Sequence, residues 1–181
     1  GGVVACELAQ FLTRIGTKVT LIQRSNHLLK GLSSKASAVI KNKFREEGIV
    51  LYTGTSLQSV NTVNGQYEVI FEHESESLSI QTPHLLNALG RKPATQGLDL
   101  SKAGISTSKN RQIICNKFQQ TTNPKVYASG DVTGPHEIVH VAILQGEAAA
   151  KHATGRVADP VSYDSLVSVV FTDPQVAQVG P

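Results

Sequence analysis

A chain of 181 residues, 40% hydrophobic and 17% charged, is long enough to bury the core of one or two domains. Its net charge of +3 comes from scattered Lys and Arg, and its five Phe and four Tyr are dispersed, which argues against a nucleic-acid or anionic-membrane surface and against a base-stacking platform. No apolar run approaches a membrane span and no signal sequence is visible; the composition is that of an intracellular soluble globular protein, expected in the cytoplasm. The chain opens on Gly1 rather than Met and lacks Met and Trp throughout, so an internal piece of a longer protein is expected, and a targeting segment upstream of residue 1 is left open. Cys6 and Cys115 are far apart and form neither a close redox pair nor a metal-ligand spacing; both are expected to be buried small residues.

Val4, Leu8, Phe11 and Leu12 recur at helical spacing and Gly16 follows as a C-cap, which predicts an amphipathic helix over 3–15. Residues 17–23 then read as a strand. A Gly-Gly loop opening a helix that leads to a strand is the later part of a βαβ unit, in which the first helical N–H groups meet a pyrophosphate and glycine admits the phosphate to the backbone. In a G-x-G-x-x-A fingerprint, Gly2 and Ala5 take the third and sixth positions, and the first glycine and first strand precede residue 1. The bland alternative for Gly1 and Gly2 is a flexible terminus. The strand ends at Gln23-Arg24-Ser25, where NAD sites carry an acid for the ribose hydroxyls. A neutral Gln23 and an Arg24 able to pair with a 2′-phosphate favour NADPH over NADH; the alternative for Arg24 is a solvated side chain.

Ser33 or Ser34 can cap a second helix that carries Ala36, Val39, Ile40 and Phe44 inward and ends at Gly48. Residues 49–52 predict a strand, and 56–62, 67–73 and 77–80 a β-meander with Asn64-Gly65 as a hairpin turn. Glu72, Glu74 and Glu76 read as a solvated edge rather than as a metal or acid–base site.

Further on, the apolar run 85–89 meets Gly90-Arg91-Lys92-Pro93: Gly90 would admit a ligand closely, and Arg91 could donate to a phosphate or carbonyl or merely brace a junction. Residues 126–128 have the composition of a short buried strand ending in Ser129-Gly130-Asp131. Gly130 lets the backbone turn past a ligand and Asp131 stands at the strand's carboxyl end, where doubly wound sheets bind ligands, so its carboxylate is placed to accept from sugar-like hydroxyls; the alternative is a helix cap. His136-Glu137-Ile138-Val139-His140 matches the HExxH zinc pattern, but Pro135 sets the helix start at about His136 and no suitable third ligand follows at metzincin spacing, so no metal site is assigned. The helix is expected to run through Val141, Leu144, Ala148 and His152 to Gly155, with Ala148 to Ala150 suited to close packing.

Four segments in order carry a family resemblance: Gly1-Gly2-Val3-Val4-Ala5-Cys6-Glu7-Leu8-Ala9, Ala88-Leu89-Gly90-Arg91-Lys92-Pro93, Thr121 to Asp131 as Thr-x-x-x-x-Val-Tyr-Ala-x-Gly-Asp, and Val170-Phe171-Thr172-Asp173-Pro174-Gln175-Val176-Ala177-Gln178-Val179-Gly180. Together they span nearly the whole chain and resemble the pyridine nucleotide-disulfide oxidoreductases, most closely the mercuric reductase and dihydrolipoamide dehydrogenase-like members. The resemblance implies an α/β chain of partial Rossmann-like FAD- and NAD(P)-binding domains with β-meander insertions and the start of an α+β dimerisation domain. The implied domains are 1–87 for NAD(P), 88–156 for FAD and 157–181 for the interface of a homodimer. It also implies FAD and NAD(P)H as cofactors. Gly2, Glu7, Gln23 and Arg24 would serve the nucleotide, and Gly90, Arg91, Gly130, Asp131 and the helix-start backbone of Val139, His140 and Val141 the flavin. Ala94 departs from the Asn usual in the family.

The implied activity is hydride transfer from nicotinamide to flavin, and on to a disulfide, thiol or metal-ion substrate. The piece alone is expected to be inactive, with no catalytic acid, base or nucleophile assignable in it. Two readings compete: a flavin oxidoreductase without a redox disulfide, such as a transhydrogenase-like enzyme, and a non-catalytic dinucleotide-binding module.

Overall fold

A computed structural model describes residues 1–134 and 136–180. They form two compact units, Gly1–Gly90 with Val169–Gln178, and Arg91–Ser168 with the residues from Val179 onward.

In the first unit, helix α1 (Val3–Arg14) leads into strand β1 (Thr20–Gln23), helix α2 (Ser34–Glu46) and strand β2 (Val50–Thr53), and β1 and β2 pair in parallel with Thr20 opposite Val50. Gly16, at φ 95°, ends α1 by donating to Thr13 O, and Thr17 N reaches Leu12 O, a left-handed glycine closure that spares any Cβ the strain. Ser33 is the cap of α2, its hydroxyl accepting from Lys35 N at 3.3 Å. The core gathers Cys6, Ala9, Leu21, Leu28, Ile40, Phe44, Ile49 and Val170.

The buried faces differ from the expected ones by a small rotation. On α1 the side chains inside are Ala5, Cys6, Ala9 and Gln10, whereas Val4 and Phe11 are 53% and 56% exposed. Ala5, Cys6 and Ala9 let the helix lie close on its neighbours, and Gln10 is drawn inward by its two bonds to the Asp173 backbone. On α2, Ser37, Ile40 and Phe44 are buried while Val39 points outward. The meander follows as β3 (Ser56–Val63), β4 (Gln66–His73) and β5 (Glu76–Thr82), antiparallel in that order. Asn64 and Gly65 both take positive φ, 51° and 77°, as a two-residue hairpin turn requires. Glu72, Glu74 and Glu76 are exposed, as expected of a solvated edge.

The second unit is built largely from irregular chain pinned by isolated bridges, followed by a 3₁₀ turn (Asp131–Thr133) and helix α3 (Val139–Ala153). Strands β6 (Val167–Val170) and β7 (Val176–Val179), most of whose residues are assigned to the first unit, make a last two-stranded sheet. Two expectations fail here. Residues 126–128 form no strand: Tyr127 makes a single bridge to Gln120, and all three residues are half-buried. Their partners come from their own narrow turn, in which Thr121 N and its hydroxyl both donate to Val126 O and Ala128 N donates to Gln119 O, leaving no extended ladder. The final helix starts at Val139 rather than at about His136, with Ile138 extended at φ −133°, ψ 135°. A β-branched residue favours that conformation, and contacts of His136 with Tyr163 and of Glu137 with Arg91 hold the preceding residues outside the helix. Pro135, on which the earlier start was argued, lies outside the described residues. Within α3 the inward face is Val141, Gln145 and Ala148, and Leu144 is 51% exposed.

Candidate functional site

In the first unit the helix start at Gly2 is bare. Gly2 is the N-cap of α1, its carbonyl accepts from Cys6 N at 3.0 Å, and no side chain caps the first turn, which also carries no acidic residue. Nothing lies within 4 Å of where a Gly2 Cβ would stand, and the first-turn N–H groups, without a side-chain cap, are of the kind that suits an anion. Gln23 ends β1 with its amide donating to Ser25 Oγ at 2.5 Å, and Arg24 beside it is exposed with no ion pair among the described residues. Glu7 is turned elsewhere: its carboxylate accepts the Phe171 amide at 2.8 Å. One turn on, Gln10 brackets the Asp173 backbone, accepting from its N at 2.7 Å and donating to its O at 2.9 Å.

Gly90, at φ 117°, closes this unit in a conformation that suits glycine, with open space at its Cβ position. Cys6 is fully buried, and burial first of all pushes its thiol up to about 11; Cys115 is half-buried, its thiol also raised by burial, with Sγ on Ala128 O at 3.8 Å. Neither is poised as a thiolate at neutral pH.

In the second unit, Arg91 and Asp131 meet directly. One guanidinium nitrogen pairs with the Asp131 carboxylate and the other lies 3.5 Å from Glu137 Oε2. These three side chains, with Lys92, Ala94 and Val132, line a cavity of ≈ 230 Å³. That is smaller than the ~300–1,000 Å³ of a site that encloses a drug-sized molecule, so it suits one segment of a larger ligand. Gly130 precedes it at φ 78°, ψ −160°, and a Cβ there would stand 3.4 Å from Ala142 Cβ on α3. Gly130 thus serves a close approach of the Asp131 turn to the helix.

At the start of α3 the side chains of Val139 and His140 are exposed and that of Val141 is buried. No side chain caps this end, so its first N–H groups stay free to face negative charge. His136 precedes the helix and His140 lies on it, so the two imidazoles of the HExxH pattern do not share a helical face.

Residues 1–146 match the pyridine nucleotide-disulphide oxidoreductase family. The chain belongs to this family. Similar proteins include a mercuric reductase of Staphylococcus aureus, 35% identical across 99% of this chain and 33% of its own length, and a dihydrolipoyl dehydrogenase of Chlamydia pneumoniae, 31% identical across 99% and 38%. The crystal structure of LpdA from Mycobacterium tuberculosis superimposes with a TM-score of 0.91 at 28% identity, covering 100% of this chain and 39% of that one. The chain therefore spans about a third of the length of the relatives it matches, and its α/β fold is that of the family's FAD- and NAD-binding portion.

Within this family fold two side chains matter that sequence reasoning passed over. Glu137 shares Arg91 with Asp131. Gln145, fully buried, accepts from Gly130 N at 2.6 Å and from Thr133 Oγ1 at 3.4 Å, and donates to Tyr163 OH at 2.9 Å. The signal for Gln145 was present: a glutamine four residues after Val141 and three before Ala148 falls on the buried face of α3, where an amide needs partners.

Among the described residues no helix is long and apolar enough to cross a membrane.

Proposed function

We infer that this chain is the nucleotide- and flavin-contacting part of an FAD-dependent NAD(P)H oxidoreductase. The observation that carries this reading is the Arg91–Asp131 pair lining a cavity, with the uncapped start of α3 in the same unit. A guanidinium beside a carboxylate fits a ligand that is both anionic and rich in hydroxyls. Asp131 accepts from the hydroxyls of the flavin's sugar-like chain, Arg91 donates to phosphate or carbonyl oxygens, and the N–H groups of Val139, His140 and Val141 stabilise negative charge at the ring edge. The uncapped start of α1 at Gly2 takes the pyrophosphate of the pyridine nucleotide, and Arg24, exposed and without an ion pair among the described residues, takes a 2′-phosphate, so the nucleotide is NADPH. Glu7 acts at one remove, holding the Phe171 backbone.

The bound flavin supplies acceptance of a hydride from the nicotinamide and delivery of electrons to a disulfide, thiol or metal-ion substrate. Neither Cys6 nor Cys115 takes part, since burial holds both as thiols. We further assign residues 1–87 to the NAD(P) domain, 88–156 to the FAD domain and 157–181 to the start of the interface of a homodimer. The test is the full-length protein, purified and titrated anaerobically: flavin absorbance that bleaches on adding NADPH is expected, and a colourless protein that takes up no added FAD overturns the reading. NADH binding as tightly as NADPH overturns the nucleotide preference alone.

A further inference from the structure

The Arg91–Asp131 pair cannot orient itself. Its side chains are 59% and 44% exposed, and ion pairs open to water on that scale impose little geometry. The direction of the Asp131 carboxylate therefore comes from the backbone turn that carries it. That turn is held by Gln145, whose Oε1 accepts the Gly130 N–H at 2.6 Å, one residue before Asp131, and lies 3.4 Å from the Thr133 hydroxyl oxygen two residues after it. The Gln145 amide is itself anchored at its other end on Tyr163 OH, and the Tyr163 ring rests against His136 at 4.8 Å between centroids. Thr133 closes the turn by donating from both N and Oγ1 to Gly130 O at 2.9 Å. A Gly130 N–H left without an acceptor would be free to rotate, since glycine has no side chain to restrict it.

We propose that Gln145 is a positioning residue for Asp131, holding the Gly130–Thr133 turn so that the carboxylate is oriented before the flavin arrives. The proposal rests on the flavin reading above. Ordering done in advance is not charged to binding, so the effect of Gln145 is felt as flavin affinity that passes through Asp131.

The experiment is a double-mutant cycle on the full-length flavoprotein after removal of its flavin, with FAD affinity read by fluorescence and apoprotein stability by urea unfolding. Gln145→Leu is expected to weaken FAD binding about ten-fold or more in the wild-type background, and by less than about two-fold when Asp131 is already Ala. Gln145→Glu, which keeps an acceptor for Gly130 N while Tyr163 OH turns to donate, is expected to stay within about three-fold of wild type. Tyr163→Phe, which releases only the far end of the amide, is expected to weaken binding by about two- to five-fold and reads the same path if Gln145→Leu does not fold. The loss from Tyr163→Phe likewise vanishes in the Asp131→Ala background. Losses that persist undiminished in the Asp131→Ala background, or a Gln145→Glu variant as impaired as Gln145→Leu, reject the positioning role and leave the flavin reading intact. Unchanged FAD affinity on Asp131→Ala alone rejects the assignment of Asp131 to the flavin, and this proposal with it, while a full-length protein that takes up no FAD rejects the flavin reading itself.

Discussion

Replacing Asp131 by Ala separates binding from stability, because the carboxylate does different work in each. In the free protein it faces Arg91 across an exposed pair, and Glu137 stands 3.5 Å from the same guanidinium, so Arg91 keeps a partner when Asp131 is gone. The cost to folding is therefore at most about 1 kcal/mol. In the proposed flavin complex the same carboxylate would be a charged acceptor for hydroxyls, beside a cavity of ≈ 230 Å³ that it helps to line. A hydrogen bond of that kind contributes roughly 1.5–3 kcal/mol. At about 1.4 kcal/mol per decade, FAD affinity falls roughly 10- to 140-fold. The assay is fluorescence titration of the deflavinated full-length protein with FAD, paired with urea unfolding of the apoprotein. An affinity within about two-fold of wild type refutes the assignment of Asp131. An apoprotein destabilised by several kcal/mol refutes the partition, since it would mean that the pair holds the fold together.

Three further outcomes are expected. Arg24→Glu should weaken NADPH by about five-fold or more while leaving NADH within about two-fold, because only the former offers the 2′-phosphate that an exposed Arg can meet; equal losses for both would remove Arg24 from the site. Phe44→Ala, at a fully buried position of α2, should cost about 3–5 kcal/mol of the first unit's stability in urea, whereas Phe11→Ala, 56% exposed on α1, should stay within about 0.5 kcal/mol; similar costs would contradict the observed helix faces. Cys6 makes stability fall with rising pH. Its thiol is raised by burial from 9.0 to about 11, so between those values the unfolded chain loses the proton that the folded chain keeps. That contribution is complete below about pH 9 and disappears by about pH 11, a loss of about 2–3 kcal/mol that Cys6→Ala should abolish in unfolding curves recorded across this range.

The parts of the fold legible in the sequence are those governed by local rules. The α1–β1 and α2–β2 successions followed from periodicity and from glycine closures at Gly16 and Gly48, and the meander from alternation around Asn64-Gly65. What misled was local composition where partners decide. Residues 126–128 look like a buried strand, but a strand is defined by neighbours, and here the neighbour is the same narrow turn. Val4 and Phe11 have the right spacing for a core face, yet α1 buries Ala5, Cys6, Ala9 and Gln10, the last because its amide meets the Asp173 backbone, a partner that spacing does not reveal.

The candidate site divides along the same line. Gly2, Gly90, Gly130 and Asp131 could be named from sequence because their chemistry is written in residue type: a glycine where the chain must turn or be approached, an acid where an acceptor is needed. Arg91 could be named as a donor, but its pairing with Asp131 and Glu137 depends on residues 40 and 46 positions away coming to one cavity. Gln145 illustrates the limit most clearly. A glutamine's position on a helix face is set by its spacing, but the Gly130, Thr133 and Tyr163 groups that satisfy its amide come from chain up to 18 residues distant, and only folding brings them within hydrogen-bonding range. The sequence by itself determined which chemistry the site contains, because side-chain type does not change on folding; the tertiary structure decided which groups hold that chemistry in place, because short-range interactions act only between atoms already brought together.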